Sequence, residues 1–181
     1  MCTLTLSAFK KGCMDIGGIE KLWVVDKSTL PADLVLAVAN GAVTITPGAT
    51  NASAYVIDPV QNSFAVTNPT NAAPESNSLF YEQTITGILH ENDAATTALV
   101  ENINKGRTLW LVKSRNGVYR MFGTDVNGMQ ANGGDGFTSG QANGDPQGCN
   151  VSLISQSTYV APVLEDFATF EDAFDIVEPV A

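Results

Sequence analysis

A chain of 181 residues, 44% of them hydrophobic, is long enough for one domain with a real core and short for two. Its formal net charge of -10 disfavours nucleic-acid binding through a basic surface, because such binding needs lysines and arginines to displace counterions. No apolar run approaches a membrane span, Lys10 and Lys11 follow the short N-terminal apolar stretch instead of preceding it as in a signal peptide, and Cys2, Cys13 and Cys149 form no CxxC pair; the expectation is a chain made in a cytoplasm, with free thiols and no zinc site.

Taken in order, "EKLWVVD" (Glu20 to Asp26) follows two glycines and reads as a strand covered on both faces, with Trp23 and Val25 on one side and Leu22 and Val24 on the other. Further β-branched runs at Ala42 to Thr46, Ser53 to Asp58 and Ser63 to Thr67, separated by Gly, Pro or Asn, read as hairpins. The stretch from Asn68 to Ser78, with two prolines among small polar residues, has the composition of an exposed connection.

"LFYEQTITGIL" (Leu79 to Leu89) alternates as a long strand. Phe80, Glu82, Thr84, Thr86 and Ile88 point one way, and Leu79, Tyr81, Gln83, Ile85 and Leu89 the other. Asn92 or Asp93 caps a helix in which Ala95, Leu99 and Ile103 recur every fourth residue, and Gly106 stops it. "TLWLVKSRNGVYRMFG" then predicts two strands, Thr108 to Ser114 and Val118 to Phe122, joined across Asn116-Gly117, a dipeptide suited to a tight hairpin. Val151 to Gln156 adds a last strand. Strands, one helix, then strands predict a mainly β chain: a β-sandwich or barrel with one flanking α-helix and long loops.

Eight of the 16 glycines lie between Gly123 and Gly148, interleaved with Asp125, Asp135 and Asp145. A calcium loop begun at Asp125 puts Asn127 correctly at its third position, but Met129 and Gln130 fall at the fifth and sixth, where an oxygen ligand and a glycine are needed. The calcium-binding β-helix repeat fails as well, since "GGDGFT" has Thr138 where an aspartate belongs. The segment reads as a turn-rich connection without a metal.

Residues 1–163 therefore form one β-rich domain, and residues 164–181 an acidic arm with six acids and no base. Phe167, Phe170 and Phe174 recur there at three- and four-residue spacing, so the arm is expected to dock its aromatics on the fold or on a neighbour. His90 is the single histidine, without a paired cysteine or nucleophile motif, and neither a phosphate loop nor a dinucleotide fingerprint occurs. The expectation is a protein with no catalytic residues and no cofactor.

Three segments, "KGCMDIGGIEKLWVVD", "GRTLWLVKSRNGVYRMFG" and "SGQANGDPQGCNVSLIS", resemble the tail tube and related virion structural proteins of phages that infect Bacteroidetes. The resemblance covers the N-terminal strand and most of the region from Gly106 to Ser157, and implies hexameric rings stacked into a hollow tube. DNA would pass through without specific binding, other tail proteins would be partners, and the protein would reside in the virion after assembly in the host cytoplasm. It makes Asn68, Pro74, Asn127, Gly134, Asp135, Gly140, Asp145, Phe167, Phe170 and Phe174 candidate contacts between subunits or rings, and Glu82 a candidate carboxylate of the lumen. A head–tail connector, tail terminator or baseplate component is the alternative within virion proteins. A calcium-binding extracellular β-domain or adhesin is the alternative outside them.

Overall fold

Elements form where the sequence alternates, and pair where the chain returns. The computed structural model describes residues 17–60, 63–73, 75, 78–90, 93–133, 136–139 and 147–179. In chain order these hold β1 (Ile19–Asp26), β2 (Val35–Ala39), β3 (Ala42–Thr46), β4 (Ala52–Ile57), β5 (Phe64–Thr67), β6 (Thr70–Ala73), β7 (Ser78–Leu89), α1 (Ala94–Lys105), β8 (Thr108–Ser114) and β9 (Tyr119–Phe122). After these come β10 (Gln130–Ala131), β11 (Gly136–Thr138), β12 (Gly148–Ser157), β13 (Val163–Leu164), α2 (Ala168–Ala173) and β14 (Phe174–Val177). The protein is mainly β, a sandwich-like arrangement of two open sheets with a flanking helix.

The larger sheet has the order β14-β4-β1-β8-β9-β13-β3-β2, and the smaller β10-β12-β7-β5, with β11 added on β12 and β6 on β7. Strands β1 and β8 sit in the middle of the larger sheet and divide their side chains between two cores. Leu22, Val24, Trp110 and Val112 join Ile85, Val151 and Leu153 of the smaller sheet and Val100 and Ile103 of α1. Trp23, Val25, Leu109 and Leu111 face the other way, onto Val43, Ile45, Leu164, Phe170 and Phe174. Covering both faces is why these strands read as continuous apolar runs. Trp110 is fully buried, and its indole N–H donates to Thr108 Oγ1 at 2.8 Å, which satisfies the one polar atom a buried indole carries.

Several expectations are corrected by the pairing. The runs at Ala42 to Thr46, Ser53 to Asp58 and Ser63 to Thr67 are strands but not hairpins with one another: β3 pairs with β2 and β13, β4 with β1 and β14, and β5 with β7. Turn residues mark where a chain reverses, not which strand it meets next. The hairpin that does form there is β2–β3 across Asn40-Gly41, whose φ values of 54° and 81° are those of the two-residue turn that matches strand twist. At Asn116-Gly117 only Gly117 has a positive φ, 80°, and Ser114 N–H donates to Val118 O, giving a longer loop.

The presumed connection from Asn68 to Ser78 contains β6. Phe64 faces Gly87, Thr67 faces Thr84, Thr70 faces Tyr81 and Ala73 faces Ser78, so β5 and β6 are one arm of a single long hairpin with β7 in unshifted register. Pro69 interrupts it because proline has no N–H for the ladder. Its carbonyl still accepts from Glu82 N–H at 3.0 Å.

Helix α1 starts at Asp93, whose carboxylate accepts from Thr96 N–H at 2.7 Å, and ends at Gly106. Its buried residues are Thr96, Val100 and Ile103. The strict four-residue spacing of Ala95, Leu99 and Ile103 drifts around a 3.6-residue helix, and Ala95 is exposed. Gly106 stops the helix in extended backbone, φ -93°, not in a left-handed cap.

The acidic arm is built into the larger sheet. β13 pairs with β3 and β9, α2 follows, and β14 runs parallel to β4 from Phe174 opposite Ala52 to Val177 opposite Tyr55. Phe170 and Phe174 are each 1% exposed, and burial of each contributes about 2 kcal/mol against the entropy of ordering the segment. Lys21 and Glu178, 3.2 Å apart, close the end of this edge.

Candidate functional site

Strand β7 is the spine of the smaller sheet, flanked by β12 from Tyr81 to Leu89 and by β5 and β6 from Ser78 to Gly87. Residues directly opposite each other in antiparallel strands point to the same side. On the inner side Gln83 and Ile85 are buried. On the outer side lie Glu82, Thr84 and Thr86, facing Gln156, Ile154 and Ser152 of β12 and Pro69, Thr67 and Ala65 on the other flank. These side chains are half-buried or exposed, and Glu82 is the one charged group among the described residues of this face. In a chain of 19 acids, a sheet face of threonine, serine and glutamine with one carboxylate is a depleted surface.

Beyond Tyr81, where β12 ends opposite it, the hairpin tip of Thr70–Ala73 and Ser78 to Phe80 continues past its neighbour. Leu79 there is 56% exposed. No described strand pairs with the outer edge of β5 and β6, so their backbone groups on that side form an open edge.

A buried polar chain holds the inner side. Gln83 Nε2 donates to Ser157 Oγ at 3.1 Å, and Gln83 Oε1 accepts from Gly123 N–H at 2.9 Å. Tyr159 donates its hydroxyl proton to Asp125 Oδ1 at 2.9 Å and lies 3.0 Å from Thr124 Oγ1. From β1's end, the Lys27 ammonium donates to Gly123 O at 2.9 Å and, at shorter range, to Asp125 O. Burial lowers the pKa of this ammonium, the Asp125 carboxylate works against that, and Arg107 adds to it. Met129 and Thr108 exchange backbone hydrogen bonds of 3.0 and 2.8 Å just beyond, tying the larger sheet to the strand that leads into β10.

The candidate contact residues fall in different places. Asn68 sits at the break between β5 and β6, and its amide atoms are buried with no hydrogen-bond partner among the described residues. Asn127 is exposed at the turn after Asp125, its carbonyl accepting from Gln130 Nε2 at 3.2 Å. Phe170 and Phe174 are enclosed in their own chain's core and present nothing to a neighbour, which corrects their assignment as contacts between subunits. Phe167 is half-buried and stacked on Tyr119 with centroids 4.9 Å apart. Pro74, Gly134, Asp135, Gly140 and Asp145 lie outside the described residues, as do Cys2 and Cys13. Gln83 and Lys27 were missed in the sequence, since both residue types are ordinarily surface ones.

Elsewhere, an open cleft of about 1150 Å³ runs between α1 and β4, where Asp26, Asp58, Asp93 and His90 meet Tyr55, Val60 and Leu99. Asp26 and Asp93 are occupied as caps, accepting from Ser28 and Thr96. His90 Nδ1 lies 3.2 Å from Gln147 O. Among the described residues no three His, Cys, Asp or Glu side chains are placed to hold a metal together, and no helix is long and apolar enough to cross a membrane. Comparison with protein families, curated sequences and solved structures returned no match.

Proposed function

We propose that this chain is a non-catalytic structural protein of a phage virion, the subunit of hexameric rings that stack into a tail tube and conduct DNA. The observation that carries the reading is the long β5–β6/β7 hairpin, with its open edge, projecting tip and uncovered face that bears no described basic residue and one carboxylate. An open edge and an uncovered sheet face are an aggregation hazard in a monomer, and a closed ring of copies removes it by pairing or packing each subunit on the next. The resemblance of three sequence segments to tail tube proteins supports the same reading.

The face suits a conduit in kind as well. A wall of lysine and arginine would hold passing phosphates by releasing their counterions, so DNA would stall. Hydroxyls and amides with one carboxylate per subunit, Glu82, leave DNA free to slide. Negative-stain images of the purified protein test the proposal directly: long tubes are expected. Isolated single rings would favour a connector, terminator or baseplate component, and monomers at every concentration would overturn both.

A further inference from the structure

The outer edge of β5 and β6 has the features of a strand acceptor. Ser63 O and Pro69 O accept from Ile88 N–H and Glu82 N–H of β7, both at 3.0 Å. Alternate residues of a strand address opposite neighbours, so the odd-numbered residues from 63 to 73 bond to β7, and Phe64, Val66, Asn68, Thr70 and Ala72 turn their N–H and C=O groups outward. Pro69 therefore lacks its N–H on the β7 side and blocks nothing on the outer one. No charged residue lies between Ser63 and Ala73, so the edge carries none of the usual guards against pairing. Its two faces differ: Phe64 is buried and Val66 packs against the inner core, whereas Ala65 and Thr67 are exposed on the hydroxyl-rich outer side. Asn68 keeps both amide atoms buried with no hydrogen-bond partner among the described residues, and an arriving strand would bring the donors and acceptors it lacks. Beside Phe64 and Val66 an open gap of about 400 Å³ reaches to Gly17, Ile19 and Ser114.

The chain carries a segment of matching pattern. Residues 3–8, "TLTLSA", are uncharged and alternate Thr3, Thr5 and Ser7 with Leu4, Leu6 and Ala8. Set on this edge, the leucines continue the line of Phe64 and Val66, and the hydroxyls continue the outer face. We propose that residues 3–8 of one copy add as a further strand to the β5–β6 edge of a second copy. Position favours the second copy over the same chain. Gly17 lies at the β5 end of the edge, and an arm running straight from there along its own hairpin sets residues 7–16 against residues 64–73. Most of the alternating stretch then passes the tip, where its own sheet has ended. The inference rests on the proposed assembly of copies and names the segment that joins them.

The test is disulfide capture in the full chain, with Cys2 and Cys13 replaced by serine. One copy carries Thr3→Cys, Thr5→Cys or Ser7→Cys in turn, and another carries Thr67→Cys on the outer face of the edge. Mixed and oxidised, one of these pairs is expected to give a covalent dimer on a non-reducing gel well in excess of either variant alone. No capture with any pair would overturn the inference. So would capture only within a single chain carrying both substitutions, because the arm would then cover its own edge. Deletion of residues 2–9, or Leu4→Lys with Leu6→Lys should the deletion not fold, is expected to abolish sedimenting assemblies and to leave the melting of the unassembled chain unchanged. Thr70→Pro, which removes an outward N–H and spares the ladder with β7, is expected to do the same. Undiminished assembly in these variants would overturn the edge pairing and leave the tail tube reading standing, whereas capture between copies that form no tubes would support the pairing and overturn the tube.

Discussion

The centres of the two sheets use the same secondary structure in opposite ways. β1 and β8 are enclosed on both faces, so every side chain from Leu22 to Val25 and from Leu109 to Val112 is buried and serves stability. β7 and β12 bury only alternate residues, and Thr84, Thr86, Ser152 and Gln156 are left facing outward over a core that does not need them. Where a strand is covered twice, its sequence is explained by packing. Where it is covered once, the other face is available for assembly.

The largest effect should come from the doubly covered sheet. Trp110→Ala is expected to cost about 3–5 kcal/mol, by removal of a fully buried indole and formation of a cavity, measured by urea unfolding of the purified chain. A loss near 1 kcal/mol would break the comparison, since the centre would then tolerate a void. Gly148→Ala should cost less, about 1–3 kcal/mol. Gly148 has φ 153°, and a Cβ there would meet Leu89 O at 2.1 Å, so the start of β12 would have to shift.

A smaller effect follows from Asp93. Its hydrogen bonds to Thr96 hold the carboxyl pKa below the usual value, so the cap's stabilisation of α1 is fully present above the unfolded carboxyl pKa of about 3.9 and is lost as pH falls through the folded value. Amide exchange in the first turn of α1 should accelerate over that acidic window in the wild type. In D93N the acceleration should be absent. Smallest for the subunit, and sharpest for the comparison, is the outer face: Thr84→Ala and Glu82→Gln should leave subunit stability within about 0.5 kcal/mol. Glu82→Lys should leave it similarly unchanged; if the proposed tail tube holds, it should also slow DNA exit from assembled particles, and unaltered ejection would count against a lumenal Glu82.

Much of this contrast was legible in the sequence because alternation reports burial directly. The split of Leu22 and Val24 from Trp23 and Val25 and the outward placing of Glu82 and Thr84 both follow from a period of two. What escaped was decided by tertiary pairing. Thr70–Ala73 has no strand-forming composition, and it becomes β6 because β7 is longer than β5 and offers an edge. The two residues of β13 and four of β14 are too short to show a period, and are strands only because β3 and β4 stand beside them. Gln83 was placed on the correct strand face, but nothing in its neighbours announces that Gly123 N–H and Ser157 Oγ will meet its two ends.

The parallel seating of β14 on β4 has a bearing on time. Antiparallel hairpins such as β2–β3 can form as soon as they are synthesised, but Phe170 and Phe174 join Trp23 and Leu109 only after nearly all of the preceding chain has been made. Loop closure over such separations is slow, and until it happens one side of the β1–β8 pair faces water. A ribosome that stalls ahead of Phe170 therefore releases a chain with an exposed apolar surface, recognisable to chaperones and proteases.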